Sequence, residues 1–263
     1  MKLEVILSPK ELPALAKRDL RTTTCVVFDV LRATSTFVTA LHHGAKAVVP
    51  VSEIAEALDF RRRHPDVLLG GERDGRRIRA AQTGGAGFDL GNSPREYTPE
   101  KVRGKTIVST TTNGTRALRA CSGAKTVLTA SFLNLTATAK FIRALHPPEL
   151  LLVCAGTGEN VAAEDVLAAG ALAESLANEP VARQQSPGTH GVTRPALSDS
   201  VTTALAAWQK AKAGLYAAVA GAENARRLLA IPELRDDVAF CLQRDVFNLT
   251  AGLDRDGAIR ILM

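Results

Sequence analysis

The sequence has few aromatic residues, few cysteines and no long apolar run. Phe, Trp and Tyr make up 4% of its 263 residues, so Ala, Val and Leu must fill the core. The four cysteines are far apart and show no CxxC spacing, which predicts free thiols in a reducing compartment. No run approaches the ~20 apolar residues that span a bilayer, and the N-terminus lacks the apolar stretch of a signal peptide. We therefore expect a cytoplasmic protein with no membrane partner.

The charge balance is basic, with 33 Lys and Arg against 27 Asp and Glu, a formal net charge of +6. The basic residues are spread along the chain among acidic ones, and no basic block alternates with aromatics. This pattern argues against a nucleic-acid partner, and it suits a small anionic substrate. The charge pattern does not determine the oligomeric state, and the chain could be a monomer or a homo-oligomer.

Short apolar runs alternate with segments of helical spacing. The runs are rich in Val, Leu and Ile with little polar alternation, which is typical of strands covered on both faces. The predicted strands are Leu3–Leu7, Cys25–Phe28, Ala47–Val51, Val67–Leu69, Thr106–Ser109, Thr126–Ala130 and Leu150–Ala155. The predicted helices are Thr36–His43, Ile54–His64, Gly114–Ala120, Leu133–Leu145 and Ala163–Ala177. The alternation predicts a three-layer α/β/α fold with a mostly buried mixed sheet.

The composition changes in "PVARQQSPGTHGVTRPALSDS", which is rich in Pro, Gly, Ser and Thr. This segment predicts a flexible surface loop at about 180–200. We expect helices over Val201–Leu229, and strand-like runs from "VAFC" to the C-terminus around a turn at Asp256-Gly257. No linker demands two domains, so residues 1–263 are predicted to form one domain. Two similar subdomains with a boundary near 100–105 are the alternative.

An internal similarity supports that alternative. "TSTFVTALHHGAKAVVPVS" (Thr34–Ser52) and "NGTRALRACSGAKTVLTAS" (Asn113–Ser131) align without a gap. Each copy reads as a polar loop, a helix, a glycine and a strand, as in a duplicated βαβ unit. Ligands of open α/β sheets bind at the carboxyl ends of strands, where such loops lie. Chance similarity of two βαβ units is the other explanation.

Both polar loops carry small hydroxyl residues and an arginine next to a predicted helix. "DVLRATST" supplies Asp29 and Arg32, and "STTTNGTRA" supplies Asn113 and Arg116. Backbone N–H groups at a helix start and the forked guanidinium both suit phosphate oxygens. Thr, Ser and Asn also cap helices in proteins of any function. Two such loops, each with an arginine, favour anion binding.

Four acidic residues lie at predicted strand ends or helix starts. Asp29 follows the second strand, Glu72 follows the run "VLL", and Glu164 and Asp165 begin a helix. Mg²⁺ is commonly held by one or two carboxylates together with substrate phosphate and water, so acids near phosphate-binding loops indicate magnesium-assisted phosphoryl transfer. Acids at a helix start also stabilise the helix without a metal. No GxxxxGK[ST] motif is present, so a nucleotide-dependent transferase lacks support.

The motifs "FDVLRATST", "GER", "GFDLGNSPREYT", "STTTNGTRAL", "CAGTGE" and "EDVLAAGAL" occur in this order along the chain. Together with "DDVAFCLQRD" they resemble the 2-phosphosulfolactate phosphatase (ComB) family over nearly the whole chain. The resemblance implies a magnesium-dependent phosphatase that converts 2-phosphosulfolactate to sulfolactate and phosphate, a step toward coenzyme M. It also implies an α/β fold of the kind argued above.

The resemblance also suggests roles for particular residues. Asp29, Arg32 and Arg116 are expected to be catalytic. The residues expected to bind phosphate or the other anionic groups of the substrate are Thr34, Ser35, Asn92, Ser93, Thr112, Asn113, Gly114 and Thr115. The residues expected to hold Mg²⁺ are Asp29, Glu72, Glu164 and Asp165.

Three segments depart from the family pattern: 79–86, 180–200 and 222–225. In the last of these, Ala222, Asn224 and Ala225 stand where the family has a Ser-x-His-Gly motif. If this segment touches the substrate, specificity or activity changes. Two further hypotheses therefore stay open. One is a phosphatase for another phosphorylated hydroxy acid, and the other is an anion-binding or regulatory protein without turnover.

Overall fold

The computed structural model describes residues 1–85, 87–177 and 197–262. Its strands are β1 (Lys2–Ile6), β2 (Thr23–Phe28), β3 (Ala47–Pro50), β4 (Leu68–Arg73), β5 (Arg76–Arg77), β6 (Thr106–Thr110), β7 (Thr126–Ala130), β8 (Glu149–Cys154), β9 (Thr250–Leu253) and β10 (Ile259–Leu262). Its helices are α1 (Leu12–Leu15), α2 (Ala33–His42), α3 (Ile54–Arg63), α4 (Ala80–Thr83), α5 (Pro99–Val102), α6 (Gly114–Ala120), α7 (Leu135–Leu145), α8 (Ala163–Ala177), α9 (Asp199–Ala211), α10 (Leu215–Ala220), α11 (Glu223–Leu229) and α12 (Arg235–Cys241). Among these described helices, none is both long and apolar enough to cross a membrane.

The described strands form one mixed sheet in the order β1-β8-β2-β7-β9-β10-β3-β6-β4-β5. Strands β1, β8, β2 and β7 are parallel to one another, and so are β3, β6 and β4. The antiparallel pair β9–β10 joins the two parallel groups. The predicted mixed sheet is therefore confirmed.

Helices cover both faces of the sheet, as the unbroken apolar runs predicted. In β2, Val26 and Phe28 pack with residues of α7, α8 and α9 on one face, and Cys25 and Val27 pack with residues of α2 and α6 on the other. All four side chains are fully buried, because successive residues of a strand point to opposite faces. Burying an apolar side chain of this size contributes about 1.5–3 kcal/mol. All four cysteines are free and buried, as the spacing predicted.

The C-terminal region differs from the prediction. The strand-like run "VAFC" belongs to helix α12, whose buried positions Asp237, Val238 and Cys241 have helical spacing. Acidic residues in its first turn, Asp236 and Asp237, favour this helix start. Helix α9 also begins inside the segment predicted as a loop at 180–200, while residues 178–196 lie outside the described residues. Glu72 lies within strand β4 rather than after it.

The two similar segments have the same order of elements, since α2 precedes β3 and α6 precedes β7. This order alone does not confirm a duplication, which stays a prediction, as does the boundary near 100–105. The strands that lead into the two polar loops, β2 and β6, are separated in the sheet by β7, β9, β10 and β3. The loops are therefore not neighbours by strand order.

Despite this separation in the sheet, the two polar loops come into contact in the folded chain. The loops meet closely at Gly114, where a Cβ atom would lie 2.9 Å from Asp29 Oδ2. Only a residue without a side chain fits at this position beside the Asp29 carboxylate.

Candidate active site

Asp29 follows the last residue of β2 and is fixed by the start of α2. Its Oδ1 accepts a hydrogen bond from the Ala33 N–H (3.1 Å), and its own N–H donates to the Thr34 hydroxyl (3.1 Å). The pKa of Asp29 is raised to about 7, mainly by burial; the charges of Glu72 and Glu164 add to this rise, and the Ala33 N–H bond and the Arg32 charge oppose it. The Asp29 carboxyl is therefore poised to exchange a proton near neutral pH.

Glu72 is held by three donors from two loops. The N–H and the hydroxyl of Thr112 both donate to its Oε1, at 3.0 and 2.9 Å, and the Gly75 N–H donates to its Oε2 at 2.7 Å. These bonds connect the loop after β6 to the turn between β4 and β5. The Glu72 carboxylate is thus buried with its position set by the backbone.

Arg32 is a buried cation whose charge is balanced by a residue that sequence analysis missed. Its guanidinium donates to Asp237 Oδ2 at 2.8 Å and to the Gly75 carbonyl at 2.5 Å. The Ser93 hydroxyl donates to the other oxygen of Asp237 at 2.7 Å. Asp237 belongs to the motif "DDVAFCLQRD", which could have indicated a role in the site. The prediction of a strand for this run gave no reason to place Asp237 beside Arg32.

The two acids at the start of α8 have different surroundings. Asp165 accepts backbone N–H bonds on both oxygens, from Val30 (2.8 Å) and Gly156 (2.9 Å), so it joins the loops after β2 and β8. Burial raises the pKa of Asp165 well above its usual range, and the charges of Glu164 and Asp29 raise it further. Glu164 accepts one bond, from Asn224 Nδ2 at 3.1 Å, while its buried Oε2 has no partner among the described residues.

A cavity of about 240 Å³ opens beside Asp29, Arg32 and Glu72. Six of the predicted residues line it, namely Asp29, Arg32, Glu72, Asn92, Thr112 and Asn113. Two polar atoms of the lining, Asn92 Oδ1 and Thr157 Oγ1, are buried and lack a hydrogen-bond partner among the described residues. A ligand in the cavity can therefore bind to free polar atoms as well as to the charged groups.

Helix α11 supplies cavity-lining residues that were not predicted as part of the site. Arg227 lines the cavity, is exposed, and makes no ion pair with any described residue. Asn224, from the divergent segment 222–225, also lines it and donates to the Leu31 carbonyl at 2.6 Å. That segment therefore does touch the site. In the sequence, only the two arginines of the run "NARRL" could have indicated that this helix contributes to an anion-binding site.

The predicted site residues that line neither cavity are Thr34, Ser35, Ser93, Gly114, Glu164 and Asp165. Three of these six act on the surroundings of Asp29. Thr34 accepts the Asp29 N–H, and the Ser35 hydroxyl donates to the Val30 carbonyl at 2.8 Å. Gly114 leaves the space beside Asp29 Oδ2. These residues shape the environment of Asp29.

Thr115 and Arg116 line a second cavity instead of the first. The Thr115 hydroxyl bonds with the Thr111 hydroxyl at 3.2 Å, and Arg116 pairs with Glu159 at 2.6 Å. The residues that sequence analysis assigned to one phosphate site are thus divided between two cavities.

The cavity residues fit a hard divalent cation. Asp29 and Glu72 supply carboxylate oxygens to the cavity, whereas Glu164 does not line it. No three His, Cys, Asp or Glu side chains of the described chain converge as a metal site. Mg²⁺ requires only one or two carboxylates when phosphate and water complete its shell. The donor set therefore suits Mg²⁺ bound together with a phosphorylated ligand.

A three-layer α/β fold with paired carboxylates and a fixed arginine in one cavity defines an enzyme-like site for a small anion. The family model described as 2-phosphosulpholactate phosphatase matches residues 8–255. This chain belongs to the 2-phosphosulfolactate phosphatase family, a family of phosphoric monoester hydrolases.

Curated relatives span nearly the same length. A "Probable 2-phosphosulfolactate phosphatase" of Caldanaerobacter subterraneus subsp. tengcongensis is 37% identical over 245 residues, covering 92% of each chain. Proteins with the same description from Thermotoga petrophila (39% identical, 86% of each chain) and Clostridium acetobutylicum (33% identical, 95% of this chain and 96% of the relative) are also similar.

Proposed function

We propose that this protein hydrolyses 2-phosphosulfolactate to sulfolactate and phosphate, with Mg²⁺ as cofactor. The observation that carries the proposal is the cavity in which Asp29 and Glu72 face the buried Arg32. The description of the relatives supports the choice of substrate. A phosphorylated 2-hydroxy acid has the anionic groups and the small size that this cavity suits.

Arg32 is preorganised to stabilise the phosphoryl group. Two of its N–H groups are held by Asp237 and by the Gly75 carbonyl, and a guanidinium has five such donors. The remaining donors are available to oxygens in the cavity without reorganisation of the side chain. Preorganised donors of this kind supply much of the stabilisation of a phosphoryl-transfer transition state.

Asp29 and Glu72 are the residues that would hold Mg²⁺, because both line the cavity. Glu164 and Asp165 are less suited, because neither of them lines it. When bound, the ion supplies charge neutralisation for phosphate oxygens.

Arg227 is suited to the second anionic group of the substrate. The charge of Arg32 is already balanced by Asp237, whereas Arg227 has no carboxylate partner among the described residues. An exposed guanidinium at the cavity matches a carboxylate or sulfonate group by forked hydrogen bonds. It would orient the substrate with its phosphate toward Arg32.

The attacking group is either a water molecule or the Asp29 carboxylate, which can form an aspartyl-phosphate. Both fit the position of Asp29 at the cavity wall. Borohydride reduction of enzyme quenched during turnover distinguishes them. An aspartyl-phosphate yields homoserine at position 29, and direct attack by water leaves aspartate there.

The function is tested by phosphate release from 2-phosphosulfolactate with Mg²⁺ and with EDTA. We expect release by wild type only with Mg²⁺, a loss of more than about a hundredfold in Asp29→Asn, and full activity in the exposed control Asp19→Asn. If phosphate is released from a different phosphorylated hydroxy acid and not from 2-phosphosulfolactate, that compound replaces 2-phosphosulfolactate as the assigned substrate. No release from any such ester would refute the enzymatic proposal in favour of simple anion binding.

A further inference from the structure

A second cavity, of about 410 Å³, adjoins the first one. It is lined by Ser52, Glu53, Arg73, Thr111, Thr112, Thr115, Arg116 and Arg119. Thr111 and Thr112 line both cavities and form the wall between them. The lining thus contains three guanidinium groups and one carboxylate, that of Glu53.

Arg73 contributes a positive charge that no carboxylate balances among the described residues. Its guanidinium donates to the Glu72 carbonyl (2.7 Å), the Ser52 carbonyl (3.2 Å) and the Thr110 hydroxyl (3.1 Å). These neutral acceptors fix the orientation of the group. They leave its charge available to an anion.

Arg116 and Arg119 lie one turn apart on α6 and pair with exposed carboxylates. Arg116 binds Glu159 and Arg119 binds Glu56 at 3.1 Å, with the two arginine side chains 41% and 60% exposed. Exposed ion pairs contribute about 0–1 kcal/mol. An incoming anion can therefore displace these carboxylates at little cost.

We propose that this second cavity binds a free phosphate dianion, separately from any ligand of the acid-bearing cavity. Guanidinium groups bind tetrahedral oxyanions through forked, charge-assisted hydrogen bonds. The Thr115 hydroxyl lines the same wall and can donate to an anion when the Thr111 hydroxyl donates to it. Phosphate is also the inorganic product of every phosphoric monoester hydrolase, so the ligand is present wherever the enzyme turns over.

Two variants of the full chain test the site in opposite directions by titration calorimetry with inorganic phosphate. Arg119→Gln should weaken binding about tenfold, because it removes charge-assisted hydrogen bonds. Glu53→Gln should strengthen binding several-fold, because it removes the carboxylate from the lining. The matched control is Arg62→Gln, since Arg62 also pairs with an exposed acid, Asp59, but lines neither cavity.

All titrations are made at one ionic strength, because salt screens exposed charges. The proposal is overturned if wild type binds no phosphate at millimolar concentrations. It is also overturned if Arg119→Gln and Glu53→Gln bind phosphate like the control. Phosphate release from 2-phosphosulfolactate is measured on the same preparations, so that the proposed hydrolysis and the proposed phosphate site are tested independently. A chain that shows the expected binding pattern without hydrolysis retains the second site and refutes only the enzymatic function.

Discussion

Replacing Asp237 by Asn removes the carboxylate that balances the buried Arg32 guanidinium. The two side chains are 0% and 2% exposed, and their closest atoms are 2.8 Å apart. The amide keeps the shape of the side chain and can still accept a hydrogen bond. The substitution therefore changes the charge with little change in packing.

The expected cost follows from the burial of this pair. Removing one partner of a buried ion pair destabilises a protein by about 3–5 kcal/mol, because the remaining charge stays desolvated. The neighbouring Asp236 provides a matched control on the same helical turn. It is 64% exposed and pairs with Arg95 at 3.2 Å, so Asp236→Asn should cost only about 0–1 kcal/mol.

Urea unfolding followed by circular dichroism measures both variants. We expect the free energy of unfolding to fall at least about 2 kcal/mol further in Asp237→Asn than in Asp236→Asn. Equal effects of the two substitutions would refute the argument that Asp237 compensates Arg32. The double variant Arg32→Met with Asp237→Leu should regain stability, since an apolar pair needs no compensation. It should remain inactive, because Arg32 also lines the cavity.

The remaining predictions concern the cavity wall. Gly114→Ala should lower kcat and the melting temperature, since its Cβ would press on the Asp29 carboxylate, whereas Gly123→Ala meets no atom within 4 Å and should change neither. Arg227→Gln should raise KM for a substrate with two anionic groups about tenfold, while the adjacent Arg226→Gln, which does not line the cavity, should not. Because the folded-state pKa of Asp29 is raised from 3.8 to about 7, mainly by burial, the contribution of Asp29 to stability in EDTA should be greatest below pH 3.8 and decline as pH rises toward 7. Urea unfolding between pH 5 and 8 should show this decline in wild type and a weaker one in Asp29→Asn; equal slopes would contradict it.

Local sequence was sufficient to predict the elements that carry the site. The apolar run before Asp29 forms a strand that ends at Phe28, and α6 and β7 have the predicted bounds. Patterns of this kind depend on residues near one another in the chain, where periodicity and capping act. The family resemblance assigned Asp29, Arg32 and Glu72 to one site, and the structure brings these three together in one cavity.

Local sequence patterns could not distinguish residues that line the cavities from residues that hold the surrounding loops and side chains in place. Ser93 and Asp165 have the composition of site residues, but their side chains hold Asp237 and two backbone N–H groups. Thr115 and Arg116 are two and three residues after Asn113, yet they line a different cavity. A helix turns each successive side chain by about 100°, so neighbours in sequence face different surroundings.

Local spacing of apolar and turn residues is sufficient to predict the α/β alternation, the buried strands and the two polar loops. The contact between the loops after β2 and β6 is visible only in the folded chain, because four strands separate β2 from β6 in the sheet and no local pattern relates them. The tertiary structure also decided that Asp237 balances Arg32 across 205 positions of the chain. A buried charge selects its partner by proximity in the folded core, and that proximity has no counterpart in local sequence pattern.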